Sequence, residues 1–153
     1  AAGGILDDIK DPDKAATRVD VLDMIIKTVR FFPTNVYNDK FTDVVGHEWY
    51  AGTVECACQN GMIDDHMIEG SCFYPEREVT LEEFIVFAMN GYKSRKPFPE
   101  TKPCSYDKQC AEYAIPYIRA ACQIELLQKD GSLDLQRVLT RGEAAKLCGK
   151  MGI

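Results

Sequence analysis

Residues 49–59 read WYAGTVECACQ, and residues 113–123 read YAIPYIRAACQ. The two stretches align at a constant offset of 64 positions: an aromatic residue opens each, Val54 aligns with Ile118, and each closes on Ala-Cys-Gln. Met62-Ile63 then aligns with Leu126-Leu127 at the same offset. Because self-similarity at a fixed spacing is typical of repeat proteins, the match predicts tandem structural units of about 60 residues.

A short motif occurs at three places, each time as a threonine followed three positions later by an acidic residue. The copies are Thr17-Arg18-Val19-Asp20, Thr80-Leu81-Glu82-Glu83 and Thr140-Arg141-Gly142-Glu143. The threonine hydroxyl can accept a hydrogen bond from a free N–H of the first helical turn, and the acid completes this capping box at the positive end of the helix. Apolar residues follow each copy at helical spacing, so a helix is predicted to begin at each one.

Two further helices are predicted at about 47–60 and 107–128, where apolar residues again occur at helical spacing. Proline is tolerated only in a first helical turn, so Pro116 means that the second of these helices either begins near Ala114 or is kinked. The strand-like pieces are very short, such as Phe41–Val45. The sequence therefore predicts an all-α fold.

The repeats divide the chain into three parts. Residues 1–36 hold the second half of one unit, with the last turn of its first helix at Ala1–Leu6. Residues 37–98 hold a complete helix-loop-helix unit, and residues 99–153 hold a complete but divergent one. A single unit of this kind cannot cover its own apolar face, so neighbouring units are expected to pack on each other.

The composition excludes several classes of function. The 153 residues are 46% hydrophobic and 27% charged, as is ordinary for a globular protein. The 18 basic and 24 acidic side chains give a net charge of −6, which argues against nucleic-acid binding. No apolar run reaches the roughly 18 residues of a membrane helix, so no membrane insertion is expected. The sequence holds no recognisable catalytic constellation and no phosphate-binding loop, so neither an enzyme activity nor a cofactor is expected.

Seven cysteines are the unusual feature of the composition. The Cys-x-Cys spacing of Cys56 and Cys58 is not the C-x-x-C spacing of a zinc site, so no metal is expected. Cys104 and Cys110 flank a short loop and are the best candidates for a disulfide, followed by Cys56 and Cys72. Three cysteines fall at core positions of the repeat and are predicted to be buried thiols: Cys58, Cys122 and Cys148.

The order of motifs along the chain resembles that of the S-layer homology (SLH) domain family. In the complete unit the order is Phe41-Thr42-Asp43-Val44, a helix led by Trp49, Gly61-Met62-Ile63, a loop with Gly70, Phe73 and Pro75, and the Thr80 helix. The corresponding family pattern is F-x-D-V, W-A-x-x-A-I, G-I, G…F-x-P and T-R-A-E. The resemblance covers nearly the whole chain.

The chain departs from this pattern at three places. Leu81 stands where the family has arginine, so the groove beside it is expected to be impaired or to bind something else. The third unit has Cys104-Ser105-Tyr106-Asp107 in place of F-x-D-V, and Tyr113 in place of tryptophan.

The resemblance implies repeats packed about a pseudo-threefold axis with very short strands, and ligand grooves between the repeats. Arg18 and Arg141 would bind an anionic group, since a guanidinium offers a fork of donors to carboxylate or phosphate. Alternatively, each pairs with a nearby acid and ties the units together. Asp43 would orient such an arginine or accept sugar hydroxyls, or it is a turn residue. Trp49 would stack on a sugar, or it is a core residue.

These implications give one function and two alternatives. The first is a non-covalent anchoring module that binds anionic secondary cell-wall polysaccharide at the outer surface of a bacterial cell. One alternative is a degenerate module for interaction or assembly with other surface-protein domains, which Leu81 and Tyr113 favour. The other is an accessory carbohydrate-binding domain of a secreted polysaccharide-degrading enzyme.

Overall fold

A computed structural model describes residues 9–153, and the helical turn predicted at Ala1–Leu6 lies outside the described residues. Residues 9–153 form five α-helices and no strand, so the fold is all-α as predicted. The helices are α1 (Arg18–Thr28), α2 (Ala51–Gln59), α3 (Leu81–Tyr92), α4 (Ile115–Gln123) and α5 (Arg141–Gly149). None of the helices in this part of the chain has the length and apolar character that a membrane crossing requires.

Capping boxes begin three of the helices, α1, α3 and α5. In each box a threonine hydroxyl accepts the backbone N–H of the acid three residues later, and that acid accepts the N–H of the threonine. The distances from the acid's N to the threonine Oγ1 are 3.3 Å at Thr17, 3.2 Å at Thr80 and 3.1 Å at Thr140. A local capping box thus marks each helix start, and the first helical N–H groups bond to carbonyls of other segments, as Arg18 does to Arg77 at 2.9 Å.

The residues just before the three capping threonines form a closed ring of backbone hydrogen bonds. Ala16 donates to the carbonyl of Leu139 at 2.8 Å, Leu139 donates to Val79 at 3.0 Å, and Val79 donates to Ala16 at 2.9 Å. The ring holds the N-terminal ends of α1, α3 and α5 together. Packing of whole repeats about a pseudo-threefold axis, and the division at residues 36 and 98, stay predictions.

Helices α1 and α3 form the centre of the core. Helix α1 contacts α2, α3 and α5, and α3 also contacts α4. Every residue from Phe84 to Tyr92 is buried, as expected of a helix that is apolar on all sides. The two helices approach closely at Gly91, where a Cβ atom would lie only 2.7 Å from Cγ2 of Ile25.

The helices predicted at 47–60 and 107–128 are shorter than expected. Residues 47–50 form a turn, in which Glu48 accepts the N–H of Ala51, so α2 begins at Ala51. Pro116 lies in the first turn of α4, which confirms the predicted start near Ala114. Helix α4 ends at Gln123, and Glu125 beyond it has a positive φ of 62° that helical backbone does not adopt.

The prediction of a short strand at Phe41–Val45 is wrong. This segment is a turn, in which Val44 donates to the carbonyl of Phe41 at 3.4 Å. The carboxylate of Asp43 accepts two backbone N–H groups from the loop that contains Phe73, so the segment is held by a side chain and not by a partner strand.

Candidate functional site

Arg18 lies in the first turn of α1 and is almost fully buried, with 3% of its side chain exposed. Its guanidinium donates to the carbonyls of Met67 at 2.8 Å and Phe73 at 2.6 Å, and to the carboxylate of Glu83 at 2.8 Å. Glu83 is also the capping acid of α3. Of the two predicted roles, the geometry matches an arginine that ties one motif to the next.

Arg141 makes the corresponding contact one motif further on. Its Nε donates to Asp20, the capping acid of α1, at 3.1 Å, and 19% of its side chain is exposed. At the third position Leu81 is buried and cannot pair with Glu143, the capping acid of α5. Arg137, from the loop before α5, pairs with Glu143 instead. All three capping acids therefore have an arginine partner.

Asp43 and Arg18 hold the same loop from different sides. The carboxylate of Asp43 accepts the N–H of Phe73 at 2.9 Å and the N–H of Tyr74 at 2.7 Å. Arg18 binds the carbonyl of Phe73, and its guanidinium carbon lies 5.3 Å from the centre of the Phe73 ring. The structure thus brings these two predicted site residues together around Phe73, as supports of the loop.

Trp49 lies away from these ion pairs, with 63% of its surface exposed. Its ring meets the buried ring of Tyr50 edge-on, with the centroids 5.5 Å apart and the planes at 85°. The indole is therefore supported on one edge while most of it faces solvent. Of the two predicted roles, the core role does not apply.

A hollow of about 200 Å³ lies beside Trp49. It runs between residues 33–37, which follow α1, and residues 46–52, which lead into α2. Thr34 donates to the carbonyl of Gly52 at 3.1 Å, and a Cβ atom at Gly52 would lie 2.2 Å from the carbonyl oxygen of Thr34. Only glycine at position 52 allows this approach, which closes the floor of the hollow.

Polar groups line the same hollow. Asn35 and Glu48, whose side chains are an amide and a carboxylate, are among its lining residues, together with Trp49. An aromatic face beside hydrogen-bonding groups suits a sugar ring, which has apolar C–H faces and a polar rim of hydroxyls.

The equivalent position in the third unit is closed. Tyr113 stacks on His66 with the ring centroids 4.6 Å apart and the planes at 5°, and burial raises the pKa of Tyr113 to about 12. Asp64 fixes the stack, because it bonds the His66 ring at 2.7 Å and accepts the hydroxyl of Tyr117 at 2.9 Å. Trp49 is thus open to a ligand, whereas Tyr113 already has an internal partner.

All seven cysteines are free thiols in the structure, and the disulfides Cys104–Cys110 and Cys56–Cys72 stay predictions. Cys104 donates to Asp107 at 3.2 Å, whereas Cys110 points to the carbonyl of Tyr106 at 3.6 Å. The turn between Cys104 and Cys110 gives each thiol its own acceptor, so the two sulfurs face different partners.

The predicted buried thiols are found at two of three positions. Cys122 and Cys148 are buried, and burial raises the pKa of each to about 12. Cys58 is half-buried, and its neighbour Cys56 is the buried one. Thiols with raised pKa values stay protonated at neutral pH and are poor nucleophiles. In the described part of the chain, no three His, Cys, Asp or Glu side chains cluster as a metal site requires.

The described residues define an all-α protein with three capped helices tied together at their starts and an open aromatic hollow. No known family profile matches the chain. The chain is 27% identical over 150 residues to the exoglucanase XynX of Acetivibrio thermocellus, a match that covers 94% of this chain and 13% of that enzyme. It is 25% identical over 150 residues to an amylopullulanase of Thermoanaerobacterium thermosulfurigenes, covering 94% of this chain and 8% of that enzyme. The chain thus spans a small part of the length of these relatives.

The sequence did not indicate two features of the site. Glu83 and Arg137 were not recognised as partners in the ion pairs, although a capping acid in each motif was a signal for at least one partner. Residues 33–37 were also not identified from the sequence as a wall of the hollow. The turn-forming residues Pro33-Thr34-Asn35, directly after an apolar helix, were the sequence feature that indicated a turn there.

Proposed function

We propose that the chain is a non-enzymatic module that binds polysaccharide at the outer surface of a bacterial cell and holds a larger protein there. Its ligand would be an anionic secondary cell-wall polysaccharide, and the attachment would be non-covalent.

The open hollow at Trp49 is the observation that carries this proposal. Seven of the other fourteen aromatic side chains are buried, and only Phe32 is more exposed than Trp49. The indole of Trp49 is supported by Tyr50 and borders a hollow that polar residues line. Burying the indole against a sugar ring would remove apolar surface from water on both partners. Asn35 and Glu48 would bond the sugar hydroxyls and set the orientation of the ring.

The two relatives support a polysaccharide as the ligand. Both relatives are named as enzymes that act on polysaccharides, and the similar segment is a small part of each.

A pull-down with purified cell walls tests the proposal. We expect wild-type protein to sediment with walls, and not with walls from which the secondary polysaccharide has been removed. Trp49→Ala should lose most of this binding, whereas Trp49→Phe should keep part of it. Phe98→Ala is the matched control, because Phe98 is an exposed aromatic that packs edge-on against Tyr117 instead of facing the hollow.

Two results would contradict the proposal. Equal sedimentation with complete and stripped walls would exclude the polysaccharide as ligand. If the Trp49→Ala variant bound walls as wild type does and the Phe98→Ala variant did not, the hollow would be excluded as the binding site.

A second candidate function is an accessory carbohydrate-binding domain of a polysaccharide-degrading enzyme, which the names of the two relatives favour. The same protein incubated with insoluble glucan and with purified walls separates the two candidates. Preference for the glucan, with Trp49→Ala abolishing it, would favour the accessory domain over the cell-surface anchor.

A further inference from the structure

Three segments of the chain contain basic side chains and no acidic ones. They are residues 24–38, 84–99 and 144–153, and together they hold seven of the 18 Lys and Arg side chains and none of the 24 Asp and Glu side chains. Each covers the C-terminal part of one of the helices α1, α3 and α5 and the residues that follow it. Although the chain has a net charge of −6, positive charge is thus concentrated at the C-terminal ends of these three helices.

The fold brings the three helix ends together. Arg95, after α3, donates to the carbonyl of Val29 at the end of α1 at 2.7 Å, and to the carbonyl of Arg30 at 3.3 Å. Lys96 donates to the carbonyl of Gly152, just beyond α5. The hydrogen-bond ring joins the opposite ends of the same helices, so these C-terminal ends form a separate end of the molecule.

Five exposed cations lie beyond the last helical residue in these segments, and we call them the basic end: Arg30, Lys93, Arg95, Lys96 and Lys150. Lys146 is also exposed but lies inside α5 and is not counted. Among the described residues, none of the five forms an ion pair with a carboxylate within 4.0 Å. Lys27 pairs with Asp23 and is therefore not counted. Bonds to carbonyl oxygens leave the charges of Arg95 and Lys96 in place.

Interaction with the helix dipoles accounts for part of this arrangement. A cation near a helix C-terminus stabilises it, and Arg95 and Lys96 already bond the carbonyls there. Arg30, Lys93 and Lys150 are exposed in addition and make no such side-chain bond within the described residues. Their positive charge is available to a partner outside the chain.

The basic end also adjoins the hollow at Trp49. Arg30 is three residues before Pro33, which lines the hollow, so the two are at most about 10 Å apart along the backbone. Arg95 is fixed on this side, with its guanidinium carbon 4.5 Å from the centre of the Phe31 ring. If one sugar of a polymer stacks on Trp49, the next sugars along that polymer can therefore reach the cations of the basic end.

We propose that the basic end binds the acidic groups of a polysaccharide whose sugar rings occupy the Trp49 hollow. The choice of a polysaccharide as the polyanion rests on the proposed function; the cationic surface itself does not. Arg18 and Arg141 are engaged with capping acids, so the carboxylate or phosphate groups of the polymer are bound here and not at the motif arginines. Screening by salt confines the attraction to about 8 Å, so binding should weaken as salt is added.

Two polymers that differ in charge test the proposal: polygalacturonate, which carries a carboxylate on each sugar, and its methyl ester, which is neutral. Trp49 is the only tryptophan, so its fluorescence reports binding. We expect wild-type protein to bind the acid form more tightly than the ester, and less tightly at high salt. Vesicles rich in phosphatidylserine test whether the basic end binds an anionic membrane instead, and we expect no binding to them.

Matched triple variants locate the surface. Arg30→Gln, Lys93→Gln and Lys150→Gln together should weaken binding about tenfold, at two- to threefold for each exposed ion pair. Lys102→Gln, Lys108→Gln and Lys129→Gln together remove the same charge from other exposed positions and should change binding less than twofold. Arg95 and Lys96 are left intact because they bond the backbone.

Each contrary outcome overturns a defined part of the reasoning. No binding to polygalacturonate, equal binding of the acid and the ester, or equal losses in the two triple variants would overturn the basic end as a polyanion site. Binding to vesicles but not to polygalacturonate would replace the polysaccharide by a membrane surface. The Trp49→Ala variant has no tryptophan fluorescence, so its binding is measured by sedimentation with cell walls. Loss of its binding with no change in the basic-end variant would leave the proposed function standing and remove only this inference.

Discussion

Replacement of Arg18 by alanine should destabilise the fold severely. The change removes two hydrogen bonds to loop carbonyls, those of Met67 and Phe73, and the ion pair with Glu83. The arginine is 3% exposed and Glu83 is 17% exposed, so water replaces these contacts poorly. Removing one partner of a buried ion pair costs about 3–5 kcal/mol, which is a large part of the roughly 5–15 kcal/mol that stabilises an ordinary domain.

The corresponding change at Arg141 provides an internal scale. Its side chain is 19% exposed and makes one bond to Asp20 at 3.1 Å and one to the carbonyl of Lys10 at 3.3 Å. Loss of these partly solvated contacts should cost about 1–2 kcal/mol. The two arginines occupy the same place in the motif, so the expected difference of about 2 kcal/mol reflects the deeper burial and the additional hydrogen bonds of Arg18.

Urea denaturation followed by far-ultraviolet circular dichroism measures both free energies of unfolding. A double-mutant cycle of Arg18→Ala with Glu83→Gln separates the ion pair from the capping role of Glu83, which the single substitution also affects. If Arg18→Ala lowers the free energy of unfolding by no more than Arg141→Ala does, the larger contribution assigned to Arg18 is refuted. A stable Arg18→Ala variant that no longer binds cell walls would instead restore Arg18 as a ligand residue.

Three further predictions concern local structure. Thr80→Ala should lower the free energy of unfolding by about 1 kcal/mol through loss of the cap of α3, measured by the same denaturation. Hydrogen bonds from Arg119 lower the pKa of Asp107 to about 2, so Asp107 should stabilise the fold above its ordinary pKa of 3.8, and this stability should fall as the pH drops toward 2. Asp107→Asn should flatten that part of the stability profile against pH, and an unchanged profile would contradict the assignment. Glu125 has a φ of 62° at the position that aligns with Gly61, whose φ is 68°. Glu125→Gly should therefore raise the free energy of unfolding by up to about 1 kcal/mol, measured as a higher thermal midpoint.

Local rules predicted the helix starts well and the long-range contacts poorly. The capping boxes at Thr17, Thr80 and Thr140 depend on residues three positions apart, and Pro116 limits the start of α4 in the same local way. The bond from Arg18 to Glu83 joins residues 65 positions apart, and no pattern in the sequence specifies which acid an arginine reaches. The exposure of Trp49 depends likewise on how the segment after α1 folds beside it.

Sequence reasoning also assigned too much structure to apolar segments. Phe41–Val45 has strand-like composition, but the carboxylate of Asp43 accepts two N–H groups from another loop and holds the segment as a turn. The cysteines close in sequence, Cys104 and Cys110, face different hydrogen-bond acceptors. In both cases the structure shows a side-chain contact that spacing alone does not reveal.

The third junction shows what the arginines in the motif do. At two junctions the arginine that follows the capping threonine neutralises the capping acid of another helix, as Arg18 does for Glu83. At the third, that position holds Leu81, yet Glu143 still has an arginine partner, which Arg137 supplies from a different place in the chain. The feature common to all three junctions is a neutralised capping acid, and the position of the arginine varies. Each motif arginine of this chain therefore has a structural role at a helix start, and its role as a ligand residue stays a prediction.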